Sequence, residues 1–243
     1  MFSFKQRING CTVLLLVMLG INSASADRRS YVWTYEYQTM PKGASEVEYY
    51  LTHKATDLHK YKNKNTWEHQ VEYEYGLTDW WDIAVYQRWQ QTNTKAEDRF
   101  EYTGTKLRTR YRLGERGQYL LDTLLYFEYI RPDGSDAPEK LEGKLVLAKD
   151  FGKWNIAYNQ IVEAGINNDG ETEHAYAAGL SYEISPVWKI GLESVGDLTE
   201  YKYYLGPTVS WGSKRCWLGF GTLLGLNDRS DDMQFRLIMG IPF

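Results

Sequence analysis

Charged side chains recur at every second position along several segments, and they are the residues best placed to act on a solute. The basic residues of this kind are Lys106, Arg108, Arg110 and Arg112. The acidic ones are Glu46, Glu48, Glu68, Glu72 and Glu74, and a mixed pair, Asp82 and Arg88, lies between the two sets. Residues i and i+2 of a β-strand point to one face, so each set forms a strand face. Facing sets of opposite sign either pair directly or line a wet passage whose transverse field orients dipolar solutes.

Catalysis on lipid would require a serine within roughly 3 Å of a histidine base. The histidines of the chain are His53, His59, His69 and His174. Neither His69 nor His174 has a serine two residues away on its own face, and Ser194 falls out of register with His174. We therefore predict no catalytic residues and no enzyme activity, and a lipid hydrolase or acyltransferase is kept as the alternative.

Metal and cofactor sites have little support in the sequence. His53, His59 and His69 lack the close spacing of metal ligands, and no phosphate-binding or dinucleotide-binding motif is present. A cluster of Asp228, Asp231 and Asp232 could hold Ca²⁺ or bridge lipopolysaccharide through divalent ions, but a solvated acidic loop is the commoner explanation. We predict no metal and no cofactor.

Residues 1–26 have the organisation of a secretory signal peptide. Lys5 and Arg7 precede an apolar core at 12–21, and small residues at 24–26 form a cleavage site. Cys11 precedes the apolar core, which excludes a lipoprotein. Its removal leaves Cys216 with no partner for an intramolecular disulfide.

The composition of the chain after residue 26 limits the classes of protein to which it can belong. The whole sequence carries 32 acidic and 28 basic residues, which argues against non-specific nucleic-acid binding. No later apolar stretch is long enough for a transmembrane helix. Yet 20 tyrosines and 9 tryptophans are present, as a membrane barrel with aromatic girdles requires.

Hydrophobicity alternates with a period of two. In 66–75, Glu68, Gln70 and Glu72 stand on the polar face, and Trp67, Val71 and Tyr73 stand on the other. The segments of this kind are about 9–13 residues long, as tilted membrane strands require. We place strands near 44–54, 65–76, 80–91, 99–113, 118–130, 139–149, 153–164, 172–184, 187–196, 202–211, 215–226 and 232–243.

The connections between these strands alternate in length. Short ones, such as 77–79, 114–117 and 150–152, alternate with longer polar ones, such as 55–64 and 131–138. Bacterial outer-membrane barrels have short periplasmic turns and longer external loops. The predicted fold is therefore an all-β, transmembrane, antiparallel up-and-down β-barrel of about 12 strands, with 14 as the alternative. Aromatics beside the short turns, including Trp81, Trp154, Trp188, Trp211 and Trp217, predict a periplasmic interfacial belt.

The last predicted strand places an apolar set on one face: Phe235, Leu237, Met239, Ile241 and Phe243. We predict that this set is the assembly signal and faces lipid. Leu237→Arg should then cost roughly 2–4 kcal/mol, whereas Arg110→Leu, facing the lumen, should be much milder.

Residues 27–43 do not fit the alternation of strands across the membrane. A strand at 31–39 would have to begin outside the cell if Phe243 ends at the periplasmic rim. We therefore divide the chain into a signal peptide at 1–26, an N-terminal periplasmic or lumen-inserted segment at 27–43, and an outer-membrane barrel at 44–243.

The C-terminal segment QFRLIMGIPF resembles the assembly signal of outer-membrane barrel proteins. Two further segments, VEYEYGLTDWWDIAVY and LEGKLVLAKDFGKWNIAYN, resemble repeated hairpins of a family of small Gram-negative outer-membrane barrels. Some relatives in that family are described as porin-like transporters of aromatic pathways. The resemblance implies the barrel fold and an outer-membrane location, and it brings no catalytic motif.

The function that we expect from the sequence is a narrow channel or transporter for small solutes with a charged lumen. Its solute path would include the alternating charged residues named above. A structural or interaction barrel with a closed lumen is the alternative. The expected partners are outer-membrane lipid, lipopolysaccharide, the barrel assembly machinery and a small solute, with no nucleic acid.

Overall fold

The chain forms a closed barrel of twelve antiparallel strands in a computed structural model, which describes residues 29–60, 64–94, 97–134, 137–166 and 172–243. Each strand pairs with its sequence neighbours, and the last pairs with the first. Closure gives every strand two hydrogen-bonding partners and leaves no free sheet edge, as a membrane span requires. The predicted up-and-down barrel of twelve strands is confirmed. The predicted signal peptide at 1–26 lies outside the described residues.

The strands are β1 Ser45–Ala55, β2 Lys64–Thr78, β3 Trp81–Thr94, β4 Asp98–Arg112, β5 Asp122–Pro132, β6 Lys140–Phe151, β7 Trp154–Gly165, β8 Thr172–Ser185, β9 Trp188–Asp197, β10 Lys202–Gly212, β11 Trp217–Gly225 and β12 Met233–Pro242. A short 3-10 turn, Leu58–Lys60, follows β1. In the described part of the chain, no helix combines the length and apolar character needed to cross a membrane.

Burial alternates along the strands as the sequence pattern predicts. On β4, Leu107 is 53% exposed on the outer face, whereas Arg108 beside it is 3% exposed in the interior. The outer face carries the apolar residues because lipid surrounds it, and charges turn inward because a midplane cation costs roughly 2–4 kcal/mol in lipid.

The connections at one end of the barrel are short, with one exception. Residues 113–121 form a longer loop, and β5 begins at Asp122 rather than near 118. The Asp122 carboxylate accepts a hydrogen bond from the backbone N–H of Gly117 at 2.6 Å, and this contact holds the loop. The exposed side chains of Tyr119 and Leu120 lie at its tip.

One of the aromatic residues assigned to the periplasmic belt turns inward. Trp154 and Trp188 lie on the outer face, but Trp217 is fully buried in the barrel interior. The assignment of Trp217 to the belt is therefore wrong. On β11 the outer face belongs to Leu218 and Phe220, so the parity of the strand directs Trp217 inward.

Residues 29–43 form no strand of the wall; 29–40 lie inside the barrel, and 41–43 are exposed where the chain leaves it. We call them the plug segment. Its side chains at Tyr31, Val32, Thr34 and Met40 are fully buried against the inner face of the wall. The segment leaves the lumen next to the short β2–β3 turn, where Gly43 donates its N–H to the Gly76 carbonyl at 2.8 Å.

Candidate functional site

Two basic residues of β4, Arg108 and Arg110, pair directly with acidic residues of β2 and β3. Arg108 contacts Glu72 at 2.7 Å and Glu74 at 2.7 Å. Arg110 contacts Glu74 and lies 2.8 Å from Asp82. All five side chains are almost completely buried. The sequence left direct pairing and a water-filled groove equally open, and in these five residues the structure has direct pairing.

A small residue makes this pairing possible across an intervening strand. Ala84 of β3 stands in register with Glu74 on β2 and with Arg108 on β4. Two strand spacings separate these partners by about 10 Å, which long side chains can bridge only if the residue between them is short. Ala84 leaves that space, so the guanidinium of Arg108 crosses the face of β3 to reach Glu74.

The other predicted lumen acids have polar partners of different kinds. The indole N–H of Trp217 donates to Glu46 at 2.6 Å. The hydroxyl of Tyr50 donates to Glu48 and also contacts Glu72. Glu68 pairs with Lys54 at 3.0 Å, closer to the outer end of the barrel.

The remaining predicted bases differ in their environment. Lys106 pairs with Glu128 on β5 at 2.7 Å, a partner that the sequence did not indicate. Arg112, at the end of β4, donates to the carbonyl of Asp79 at 2.8 Å. Arg88 forms no ion pair with any residue that the structure describes, and its side chain is half-buried.

Glu193 of β9 holds the plug segment through its backbone. The N–H groups of Val32, Trp33 and Thr34 all donate to the Glu193 carboxylate, at 2.8, 2.9 and 2.8 Å. Successive N–H groups of a turn form an anion-binding concavity. Glu193 is fully buried, so these three hydrogen bonds replace the water that its carboxylate would otherwise bind.

Asparagine side chains of β7, which is separated from β9 by one strand, also hold the plug segment. Asn159 accepts the N–H of Tyr35 at 2.6 Å and donates to the carbonyl of the same residue at 2.9 Å. The hydroxyl of Tyr31 donates to the Asn155 side chain at 2.8 Å. Both contacts satisfy backbone or hydroxyl groups that would be costly to bury alone.

The plug segment is also closed on itself. The N–H and hydroxyl of Ser30 both donate to the Glu36 carboxylate, at 2.7 and 2.8 Å. Farther along, the N–H of Met40 donates to Asp82 at 3.0 Å, which joins the plug segment to the ion-pair network of β2–β4. Burial raises the pKa of Tyr37 to about 12, so this phenol stays neutral.

Glycines of the wall make room for the plug segment. A Cβ at Gly179 would meet the ring of Tyr31 at 2.4 Å, and one at Gly221 would meet Val32 at 2.5 Å. These glycines stand on the inner face, where a side chain would occupy the space of the plug segment.

Cations and tyrosine rings fill the middle of the lumen. The guanidinium of Arg29 lies 4.3 Å from the ring centre of Tyr35. The ammonium of Lys144 lies 4.8 Å from the same ring and 4.4 Å from that of Tyr126. Desolvated cation–π contacts contribute about 2 kcal/mol or more each, so this stack adds to the hydrogen bonds that hold the plug segment.

The predicted assembly set lies on the seam of the barrel. β12 pairs with β1 on one side and β11 on the other, and its outer face carries Phe235, Leu237, Met239 and Ile241, while Ile238 points inward. The N–H of Phe243 donates to the Ser45 carbonyl at 2.8 Å, next to the start of β1. Whether this set directs assembly stays a prediction.

The outward-facing histidines have no serine partner among the described contacts. The Nδ1 atom of His69 lies 2.7 Å from the Tyr49 hydroxyl. Ser194 lies 3.1 Å from the hydroxyl of Tyr176. A phenol beside an imidazole can fix the ring but supplies no serine nucleophile.

Sequence reasoning missed the residues that share hydrogen bonds with the plug segment: Glu193, Asn155, Asn159, and Arg236, which donates to the Val32 carbonyl at 3.2 Å. Their strands show ordinary alternation, and nothing in the local pattern distinguishes Glu193 from a solvated lumen acid. Two features of the sequence could have indicated them. Residues 27–43 do not fit the alternation of strands, and glycines occur at inward-facing positions of the wall strands.

The fold resembles those of solved outer-membrane channels and porins. An outer membrane channel from Pseudomonas putida F1 has a TM-score of 0.67 and 13% identity, covering 87% of this chain and 100% of that one. The KdgM porin has a TM-score of 0.56 and 9% identity, covering 82% and 99%. The NanC porin has a TM-score of 0.53 and 9% identity, covering 82% and 98%.

At these identities the likeness shows the fold alone, which is that of bacterial outer-membrane β-barrels. No family model matches the chain, and no curated protein matches it.

Proposed function

We propose that this protein is an outer-membrane channel for small solutes whose lumen is closed by the plug segment. The observation that carries the proposal is the way in which the plug segment is held. Beside the apolar packing of residues such as Tyr31 and Val32, it is held by hydrogen bonds and cation–π contacts. The wall residues that share hydrogen bonds with it are Glu193, Asn155, Asn159 and Arg236. Polar contacts of this kind can be exchanged for contacts with water when the segment moves.

The similarity to solved channels and porins supports the same function at the level of fold. The outward apolar face supports a location in the outer membrane, because apolar residues such as Leu107 are widely exposed. We propose a passive channel and no lipid chemistry, since the outward histidine His69 is paired with Tyr49.

A disulfide between the plug segment and the wall tests whether the plug segment closes the channel. A Cβ at position 219 would lie 2.9 Å from Cγ1 of Val32, so cysteines at both positions are close enough to bond. We would prepare Val32→Cys with Gly219→Cys, and replace Cys216 by serine. Reduction should raise single-channel conductance in planar bilayers, and oxidation should remove the openings.

The matched control is the single variant Val32→Cys in the same background, whose conductance should not respond to oxidant. Deletion of 29–39 gives a second measurement, because an empty lumen should conduct continuously. If neither the reduced double variant nor the deletion variant conducts after folding is verified by heat-modifiable mobility, the channel proposal is wrong.

A structural barrel with a permanently closed lumen is the second candidate. The observation in its favour is the direct pairing of Arg108 and Arg110 with Glu72, Glu74 and Asp82. This network occupies the inner face beside the plug segment, and it would persist after the segment left. Lack of conductance in the deletion variant would favour this candidate.

A further inference from the structure

The interior arginines fall into two groups. Arg108 and Arg110 each contact two carboxylates closely. Within the described ranges, Arg29, Arg88 and Arg236 form no ion pair. Buried or half-buried cations normally acquire an acidic partner, because desolvation of an uncompensated charge is costly. Three such cations on one side of one lumen therefore require an explanation.

The strand register places Arg88 and Arg236 in one region of the wall, and Arg29 of the plug segment lies against it. Tyr50 of β1 stands in register with Gln70, which stands in register with Arg88. Two residues farther along β1, Thr52 stands between Arg236 and Glu68. Arg29 donates to the Tyr50 hydroxyl at 3.0 Å and so lies against the same part of the wall.

The contacts of each guanidinium leave donors unused. Arg29 is 6% exposed, and its Nε has no hydrogen-bond partner. Arg236 donates to the Thr52 hydroxyl at 2.9 Å and to the Val32 carbonyl at 3.2 Å, which accounts for two of its five N–H groups. Arg88 forms no hydrogen bond with a described residue.

The acidic groups that act on these arginines are already engaged. Glu48 and Glu72 act on Arg29 at longer range, but both accept hydrogen bonds from Tyr50, and Glu72 also pairs with Arg108. Glu68 is the acidic group that acts on Arg88 and Arg236. It pairs with Lys54 at 3.0 Å, and both Arg236 and Arg88 act on it at longer range. Three cations, Lys54, Arg88 and Arg236, therefore surround one carboxylate, with Arg29 close to Arg236. The region has an excess of positive charge.

We propose that Arg29, the first residue of the plug segment, forms an anion-binding site with Arg88 and Arg236 of the wall, for an oxyanion group of a small solute. The inference deepens the proposed channel function and rests on it, since it names the class of solute that the channel takes. Planar guanidinium groups bind carboxylate and phosphate groups through paired hydrogen bonds. The half-buried positions of Arg88 and Arg236 leave the site open to the lumen.

Binding measurements on the full-length barrel in detergent test the site without requiring conductance. The probes are succinate and inorganic phosphate, with the neutral diamide of succinate as the control solute, followed by isothermal titration calorimetry. Arg88→Gln with Arg236→Gln should weaken oxyanion binding about tenfold or more, since each charged hydrogen bond contributes substantially. The probe that binds more tightly shows whether the site prefers a carboxylate or a phosphate group.

Two further variants separate the site from a general loss of charge or of folding. Arg131→Gln is the matched control, because this side chain is 68% exposed on the outer face and should not affect binding. Glu68→Gln should strengthen binding, since it removes the carboxylate that competes for the arginines. Increased affinity is a result that a purely structural role for these residues would not produce.

The inference is overturned if neither oxyanion binds to the unmodified barrel, or if binding survives in the double arginine variant. Oxyanion binding without conductance would contradict the channel proposal and leave the site standing. Conductance without oxyanion binding would contradict the anion-binding site and leave the channel proposal standing. The two failures are therefore distinguishable.

Discussion

At the scale of single residues, arginines at different positions along β4 have different partners and different burial. Arg108 and Arg110 are buried among carboxylates, whereas Arg112 at the end of the strand is bound to a carbonyl and lies 3.8 Å from Glu115. The position of the partner acids decides this difference. The sequence alone predicted a mild effect of Arg110→Leu, and the buried ion pairs now predict a large loss of stability.

We expect Arg110→Leu to destabilise the barrel by about 3–5 kcal/mol, because it leaves Glu74 and Asp82 buried with less compensating charge. Arg112→Leu is the matched control on the same face of the same strand, and it should cost about 1 kcal/mol or less. Urea unfolding in lipid vesicles measures both free energies. Equal effects of the two substitutions would contradict the network described for Arg110.

At the scale of strands, β12 combines lipid exposure with closure of the barrel. We expect Leu237→Arg, near the middle of its outer face, to cost roughly 2–4 kcal/mol. Met233→Arg, on the same face at the outer end of the strand, should cost about 0–1 kcal/mol, because the guanidinium can reach the interface. The same unfolding measurement applies, and the opposite order would show that the depth or the parity of β12 is wrong.

The strands were predictable because their pattern is local. Period-two alternation in segments such as 66–75 follows from one apolar and one polar environment, and both environments are properties of the barrel as a whole. The pairing of Arg108 with Glu74 was not predictable, since it depends on Ala84 lying between them in register. Glu193 was missed for a related reason: its partners are backbone groups distant in sequence.

At the scale of the whole molecule, the outer surface determines where the protein resides. The exposed apolar face and the aromatic girdles need a surrounding membrane, and a soluble state would expose them to water. We expect the protein in the outer-membrane fraction of Gram-negative cells, with a gel mobility that changes on heating. Recovery in the soluble periplasmic fraction, or a helical circular-dichroism spectrum, would contradict the fold and location together.

The attachment of the plug segment has a consequence for the order of assembly. Val32 and Tyr35 are bound by Glu193 and Asn159, which follow them by 161 and 124 residues. Contacts of such high sequence separation form late, because the loop-closure entropy must first be overcome by other contacts. The first described residues of the chain therefore acquire their partners among the last, after β7–β11 have formed. A bound plug segment therefore indicates that the strands of the barrel wall have already assembled.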